Sequence, residues 1–452
     1  MVEMPKGFPR KYLTPEKRIT VSVYGSVDTT PVQKIIDHHA FQRTRRIKQL
    51  GIADSVFPSA THTRFAHMVQ AMAQCLEYTE KMVLKGMLSP EEAHACNIAA
   101  LVHDVGHGPL SHLIEKVVQV KGSRFKNHNE RTRHIIENEL ADAIKNCGSS
   151  ADWVARIVDK KDPLSQFISH KTIGADKIAY LRVDQYHAAY PPSPLLIGDL
   201  ANNLIYFEIE LNGIQKKVLG ADQRMLSNLM DAQTDYFKMY KEVYWRKYTR
   251  GLERIVERSA QQAIDAGVFT PDEVWGMSDE RFLLKLIDTK GEWSAPIESL
   301  YNGERSMLKA AMVLRMPGHE DKEIVRGKPI AVVPIAHGLS KKLFEYYSDP
   351  ISTYAAEQEI AKVLKITPAN VILSVAGDPY RMLPEDVQLF VPDGTPTGTI
   401  FQRYPQHMSA LEELAFGVSA VRVMVSPSER ERVAGAAKEV CDVLYEPLRK
   451  AA

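Results

Sequence analysis

A mainly α-helical fold, with a helical lobe over residues 1–268 and a smaller α+β lobe over 269–452, is the class this sequence predicts. Three observations predict it. Apolar residues recur at helical spacing through most of the first lobe. Beyond about residue 270 the pattern changes to short helices and β-type runs. A chain of 452 residues also exceeds what one hydrophobic core usually covers, so it divides.

The elements follow in order. Thr30-Pro31 opens a helical pattern running to about Leu50, because proline is pre-organised for the first helical position. After a loop rich in Ser, Thr and Pro, Phe65, Met68, Val69, Met72 and Leu76 hold helical spacing from Thr63 to Gly86, a C-cap. Ser89-Pro-Glu-Glu92 reads as a capping box. It leads into a strongly apolar helix over 97–105, ended by Gly106 and Gly108-Pro109, and that helix belongs in the core. Further helical patterns cover 128–146 and 171–188, up to the break YPPSP at 190–194. The stretch IYFEIELNGIQKKVLG alternates about an Asn-Gly pair, which predicts a β-hairpin near 204–219 inserted in the helical lobe. A long polar and aromatic helix is expected over 222–265. In the second lobe IAVVPIA and VRVMV read as strands, and a closing helix follows Pro427. There is no internal repeat and no low-complexity tract.

Bulk properties exclude several classes. Lys and Arg number 57 against 56 Asp and Glu, so no global field draws the chain to nucleic acid or anionic lipid. Phosphate chemistry would have to rest on local basic groups. Cys75, Cys96, Cys147 and Cys441 form no CxxC pair, which argues against a thiolate zinc site or a disulfide framework and fits a reducing cytosol. The opening MVEMPKGFPRKY has no apolar h-region, and no long uncharged apolar run occurs, so neither signal peptide nor membrane span is expected.

The string HDVGHGPLSH at 103–112 carries the first chemistry. An apolar helix gives way there to His103 and Asp104. A buried carboxylate without a partner is costly or protonates, so Asp104 needs an arginine or a metal. One nitrogen and one oxygen donor at a helix end suit a first-row transition ion, with other helices completing the sphere. Taken alone, the pair also matches an imidazole resting on a helix dipole. Two further residues favour the metal: His67, one turn past Arg64, and Asp176, on a separate helix, so that three helices converge on one ion. Asp176, Tyr180 and Asp184 fall at i, i+4 and i+8 with Lys177 beside them, although polar stripes are usually solvated surface. His112 and Glu115 stand three apart, so the carboxylate can orient and charge the imidazole as a proton donor. With His107 and His128 they look like a local anion site.

Six strings, FQRTRRIKQLG, VFPSATHTRFAH, HDVGHGPLSH, NHNE, ADKIAYLRVD and KEVYWRK, occur in order between Pro31 and Lys247. Through them the chain resembles the HD superfamily, and within it the deoxynucleoside triphosphate triphosphohydrolases that include the sterile-alpha-motif and HD-domain protein. The resemblance implies an HD-domain helical core. It implies one divalent transition metal, Fe, Mn, Zn or Ni, held by His67, His103, Asp104 and Asp176, with Mg2+ on the substrate phosphates. The implied reaction is hydrolysis of a deoxynucleoside triphosphate at the α-phosphorus, giving a deoxynucleoside and inorganic triphosphate. His112, backed by Glu115, would protonate the leaving oxygen beside the metal carboxylate Asp104, while Arg64, His107, His128 and Lys177 meet the phosphates. Gln49 would test the 3′-hydroxyl, Leu50 would fill the place of a 2′-hydroxyl, and Tyr180, Asp184 and Tyr244 would line the sugar pocket. Asp37, Gln42 and Arg45 match residues that bind a guanine nucleotide between subunits, so a GTP or dNTP effector and a homodimer or homotetramer are implied. No sterile-alpha-motif domain is expected ahead of the first string.

The pattern departs at Tyr236, where the family carries an arginine on the terminal phosphate. That removes a charge-assisted hydrogen bond worth about 1.5–3 kcal/mol, for which Lys238 is the nearest substitute. ITVSVYG also replaces an Asp-Pro-Ile-His-Gly-like string of the effector site, and the basic residues for a second effector have no clear equivalents. Two other readings stay open. One is an HD phosphohydrolase of another nucleotide, such as a monophosphate, an alarmone or a dinucleotide. The other is a catalytically retired nucleotide sensor or nucleic-acid-binding oligomer, against which the complete ligand set stands.

Overall fold

The computed structural model describes residues 16–191, 197–211, 213–304, 308–317, 330–375 and 379–450. The opening stretch 1–12, residues 192–194 of the proline-rich break and Asn212 of the Asn-Gly pair lie outside them.

The expected class holds: a helical core with a smaller α+β lobe toward the C-terminus. Two helices form its spine. Arg64–Leu84 starts where the Thr63 hydroxyl accepts from Ala66 N, and it buries Phe65, Met68, Val69, Met72 and Cys75. Pro90–Val102 starts at the expected capping box, with Ser89 N donating to Glu92 Oε2 at 2.8 Å and Glu92 N to Ser89 Oγ at 3.1 Å. From Ala95 to Val102 every residue of that helix is buried, so truncating Leu101 to alanine would cost about 2–5 kcal/mol. It stops at Val102, with His103 as its cap, so the helix expected over 97–105 ends earlier and frees the following turn to bend. Helix Ala175–His187 lies along Arg64–Leu84, bringing their polar faces together.

Several expected helices are broken. The pattern over 30–50 folds as a 3₁₀ turn Thr30–Val32, helices Gln33–Ile36 and His39–Gln42, and a 3₁₀ turn Arg43–Arg46. His38 is the cause: it is extended at ψ 138, and its ring nitrogen accepts from Ala40 N, capping a new start. The 128–146 pattern becomes His128–His134, a π turn Ile135–Glu139 and Ala141–Asn146. The 222–265 pattern becomes Leu226–Met239, a π turn Tyr240–Tyr244 and, after extended Arg246, Lys247–Asp265. That second break turns Tyr244 back toward helix Ala175–His187, where its hydroxyl meets Asp184.

The hairpin forms as expected from β3 (Leu204–Leu211) and β4 (Ile214–Asp222), with Leu211 opposite Ile214. Its far edge pairs in parallel with β8 (Gln388–Phe390), which pairs antiparallel with β9 (Pro396–Thr399). Gly220 permits that approach, since an added Cβ would sit 2.2 Å from Gln388 O. A second sheet has the order β6-β5-β10-β7, from Ala331–Pro334, Lys309–Arg315, Ala420–Val425 and Val371–Val375, so IAVVPIA and VRVMV do supply strands. The short hairpin β1 (Arg18–Val21) and β2 (Gly25–Asp28) takes up ITVSVYG. After Pro427 come two helices, Arg430–Gly435 and Ala437–Lys450.

Packing crosses the expected division near 268. Val387, Leu389 and Ile400 bury in the core of the first lobe. Leu110, Leu113 and Val117 join a second core with Leu252, Trp275 and Phe282. Among the described residues no helix is long and apolar enough to cross a membrane.

Candidate functional site

The polar faces of three elements converge at His67, His103, Asp104 and Asp176. Asp176 Oδ1 lies 3.2 Å from His67 Nε2 and 3.4 Å from His103 Nε2. Asp104 Oδ2 lies 3.8 Å and 3.5 Å from the same two nitrogens and also accepts a short hydrogen bond from Arg64 Nη1. Donor atoms of His67, His103 and Asp176 all fall within 4.8 Å of one another. His67 Nε2 and His103 Nε2 are buried with no hydrogen-bond partner. His103 Nδ1 donates to Ala100 O at 2.8 Å, which turns Nε2 toward the carboxylates, the orientation that suits an imidazole binding a metal through that nitrogen. Burial alone would lower His103, but Asp104 and Asp176 overcome it and hold it up at about 9. Burial opposes ionisation of Asp104 too, yet His103 and Arg64 keep it well below the carboxylate range. A buried centre with this appetite for positive charge and mixed N and O donors fits a divalent first-row ion.

Beside it, one carboxylate oxygen serves three imidazoles. Glu115 Oε1 lies 2.8 Å from His128 Nδ1, 3.2 Å from His112 Nδ1 and 3.3 Å from His107 Nδ1. Burial would raise Glu115, but those imidazoles hold it far below its usual range. His107 stacks on His128 at 3.9 Å between centroids, and burial, with the charges of Arg64 and His128, pushes it down to about 3, so it is neutral at physiological pH. His112 differs: its side chain is 66% exposed, free to face a ligand.

The third wall is aromatic. Lys177 Nζ donates to Tyr180 OH at 2.7 Å and sits 5.4 Å over the ring of Tyr236. Leu50, like Tyr180 and Tyr244, packs against the buried cluster of Leu181, Tyr236, Met239 and Val243. It stands in a turn beyond Arg43–Arg46, not at a helix end. Gln49 Oε1 is buried and unpartnered. Asp184 accepts from Tyr244 OH at 2.6 Å and meets His62 Nε2 at 2.8 Å. Lys238 pairs with Asp235 at 3.5 Å instead of serving the wall beside Tyr236. The residues matched to an effector site have local partners: Asp37 accepts from Gln33, Gln42 Nε2 donates to Ile36 O, and Arg45 bonds Gln42 and stacks on Phe65.

The frame holding these groups was not foreseen. Leu110 (φ 57) and Ser111 (φ 59) are both left-handed, a strain of about 1–3 kcal/mol each that only surrounding contacts sustain. Ser111 Oγ donates to Lys48 O at 2.8 Å and accepts from Arg64 Nε at 2.9 Å. Asp279 accepts from Leu110 N at 2.7 Å and Lys48 N at 2.8 Å. Half-buried Arg43 donates to the carbonyls of Val105, His107 and Trp275, and Arg131 to those of Gly106 and His107. Gly106 lets the His128–His134 helix close in, since a Cβ there would lie 2.4 Å from His128 O and Thr132 N. His62 lay inside a string already singled out, five residues before His67, but nothing in its spacing pointed to Asp184.

Comparisons accord with this geometry. Residues 64–162 match the HD domain. An uncharacterized Bacillus subtilis protein, YwfO, is 30% identical over 287 residues, 58% of this chain and 60% of that protein. The deoxynucleoside triphosphate triphosphohydrolase SAMHD1 homolog of Dictyostelium discoideum is 24% identical over 280 residues, 58% of this chain and 52% of that protein. The chain thus spans 60% or less of these two relatives' lengths. A phosphohydrolase structure from Bacteroides thetaiotaomicron superposes with TM-score 0.66 at 19% identity, covering 91% of this chain and 99% of that one, which shows a shared fold.

Proposed function

We propose that this chain, carrying an HD domain at residues 64–162, is a metal-dependent phosphohydrolase that cleaves deoxynucleoside triphosphates at the α-phosphorus into deoxynucleoside and inorganic triphosphate. The observation that carries the reading is the pair of orphaned, buried nitrogens, His67 Nε2 and His103 Nε2, aimed at two carboxylates beside the Glu115 imidazole cluster. When bound by His67, His103, Asp104 and Asp176, a divalent ion supplies Lewis-acid stabilisation of phosphoryl charge and a more acidic water.

The protein's own groups do the rest. Water adds to the α-phosphorus, the bond to the 5′-oxygen breaks, and that oxygen takes a proton from His112 while a water proton is released. Burial lowers His112 overall, and Glu115 orients it and works against that shift to favour the imidazolium before transfer. Neutral His107 has a single N–H, which faces Glu115, so it backs the cluster while His128, Lys177 and Arg64 spread the negative charge. Gln49, Tyr180 and Asp184, with Tyr244 closing over them, read the sugar. Leu50, packed among tyrosines, would leave a 2′-hydroxyl desolvated without a partner, at a cost of about 1–3 kcal/mol, which favours deoxyribose. An effector nucleotide at Asp37, Gln42 and Arg45 and a dimeric or tetrameric assembly belong to the same proposal.

A second reading rests on Tyr236: without a cation at that position, a shorter nucleotide or a different phosphoester is the substrate. The deciding experiment incubates the protein with ribo- and deoxynucleotide mono-, di- and triphosphates under several divalent metals, with and without GTP, and separates the products. Intact triphosphate with deoxynucleoside supports the proposal. Release of orthophosphate or pyrophosphate selects the second reading, equal turnover of ribonucleotides removes the role of Leu50, and a metal-free, inactive protein leaves a nucleotide sensor.

A further inference from the structure

One residue outside that reading, His62, is fastened to two residues within it. Its backbone carbonyl accepts from Gln49 N at 2.9 Å, and its ring Nε2 meets Asp184 Oδ1 at 2.8 Å. Both side chains of that pair are 3% exposed. A carboxylate oxygen accepts, so Nε2 carries the proton and donates. Tyr244 OH donates to the other oxygen, Oδ2, at 2.6 Å. Asp184 is thereby held at both oxygens, which fixes its orientation and leaves each oxygen a second lone pair for a further donor. Gln49 Oε1 is buried without a partner among the described residues, so it too is unsatisfied until a ligand arrives.

The imidazole is itself backed. His187, three residues after Asp184 on the same helix, stacks on it with centroids 4.4 Å apart and planes 17° from parallel. The Nδ1 of His187 donates to Ser59 O at 3.0 Å, so its Nε2 is the acceptor for the Ser22 hydroxyl, also at 3.0 Å. Buried Gln70 donates in turn to Ser22 Oγ at 3.2 Å and to Ser22 O at 3.0 Å. Ser22 belongs to ITVSVYG, the string that departs from the effector motif, so in this chain that segment buttresses the pair of His62 and Asp184.

We infer that His62 is the positioning residue for recognition of a sugar 3′-hydroxyl, its ring holding Asp184 as the acceptor and its carbonyl holding Gln49 in place. A 2′-deoxynucleoside 5′-triphosphate keeps one free sugar hydroxyl, at 3′, and that O–H is the donor a fixed carboxylate suits. The inference rests on the nucleotide reading and makes the 3′-hydroxyl a condition of tight binding.

Calorimetric titration of the full chain in EDTA, where turnover is blocked, tests this with the four deoxynucleoside triphosphates and their 2′,3′-dideoxy counterparts. The parent is expected to bind the deoxynucleotides about tenfold or more tighter, the worth of one hydrogen bond to a charged acceptor. His62→Ala should erase that preference by weakening the deoxynucleotides alone. His62→Gln, whose amide N–H reaches where Nε2 lies, should restore most of it. His62→Asn should not, because its amide matches only Nδ1, which is buried without a partner among the described residues. Equal weakening of both ligand sets by His62→Ala, or an asparagine variant as good as the glutamine one, marks the histidine as part of the fold alone and overturns the inference. A parent that binds both sets equally overturns it even if nucleotides are cleaved once metal is restored, and binding of neither set overturns the nucleotide reading with it. A preference that follows Nε2 while no metal yields cleavage upholds the inference and discards the phosphohydrolase reading.

Discussion

Replacing Asp279 by asparagine probes how the strained turn before His112 is held. Asp279 is 4% exposed and accepts from the amides of Leu110 and Lys48. Burial outweighs those bonds and the nearby charges of Lys48 and Arg64, raising the carboxyl from 3.8 to about 6. Between those values the native protein keeps a proton that the unfolded chain has released. Stability must therefore fall as pH rises through that window, and level off above it. At about 1.4 kcal/mol per pH unit, the interval is worth about 3 kcal/mol. Asparagine does not titrate, so the unfolding free energy of the parent minus that of Asp279→Asn should drop by about 2 kcal/mol from pH 4 to pH 6.5. A constant offset of about 1–3 kcal/mol favours the parent at every pH, because the amide leaves one of the two backbone N–H groups facing its own NH2. Urea unfolding followed by tryptophan fluorescence, in chelator, at steps between pH 4 and pH 8 measures both terms. A difference that stays flat, or grows with pH, would refute the reasoning, since growth would mean that the two amides dominate burial.

Other outcomes follow from the same geometry. His103→Ala and Asp176→Ala should each lose bound metal, by elemental analysis, together with turnover, and full activity without the ion would remove the mechanism. Gly106→Ala puts a methyl 2.4 Å from His128 O and Thr132 N, so it should cost about 3 kcal/mol or more, and an unchanged melting temperature would contradict the packing. His62→Ala strips Asp184 of a buried partner and should destabilise by about 1–3 kcal/mol. The same variant should weaken nucleotide binding but not that of tripolyphosphate, which has no sugar; equal losses for both would assign His62 to the fold alone.

The candidate ligands were legible because His67 lies on, and His103 just beyond, a helix whose apolar spacing is strong and whose start is capped locally, at Thr63 and Ser89, whereas the helix of Asp176 starts at Gly174 without a side-chain cap. Spacing then places each side chain within a turn of its neighbours. The breaks were hidden for the converse reason. His38, Leu140 and Arg246 interrupt segments whose composition still suits a helix, and tertiary bonds, such as Tyr244 to Asp184, decide where the chain turns. Asp279 was out of reach entirely, since it meets the site from more than a hundred residues away through a backbone group that any side chain would present. Lys238, two residues away in sequence and of the right charge, was the natural substitute for a missing arginine, but it turns to Asp235.

The parallel pairing of β4 with β8 bears on how this protein is made. A nascent chain emerging from the ribosome completes the hairpin by Asp222 but cannot cover its outer edge until Phe390 has been synthesised. During that delay the unpaired amides and carbonyls of β4 are open to any extended neighbour, including another nascent copy. Trimming the gene to the helical lobe would make that exposure permanent, so a shortened product is expected to aggregate even though every candidate metal-site residue remains in it.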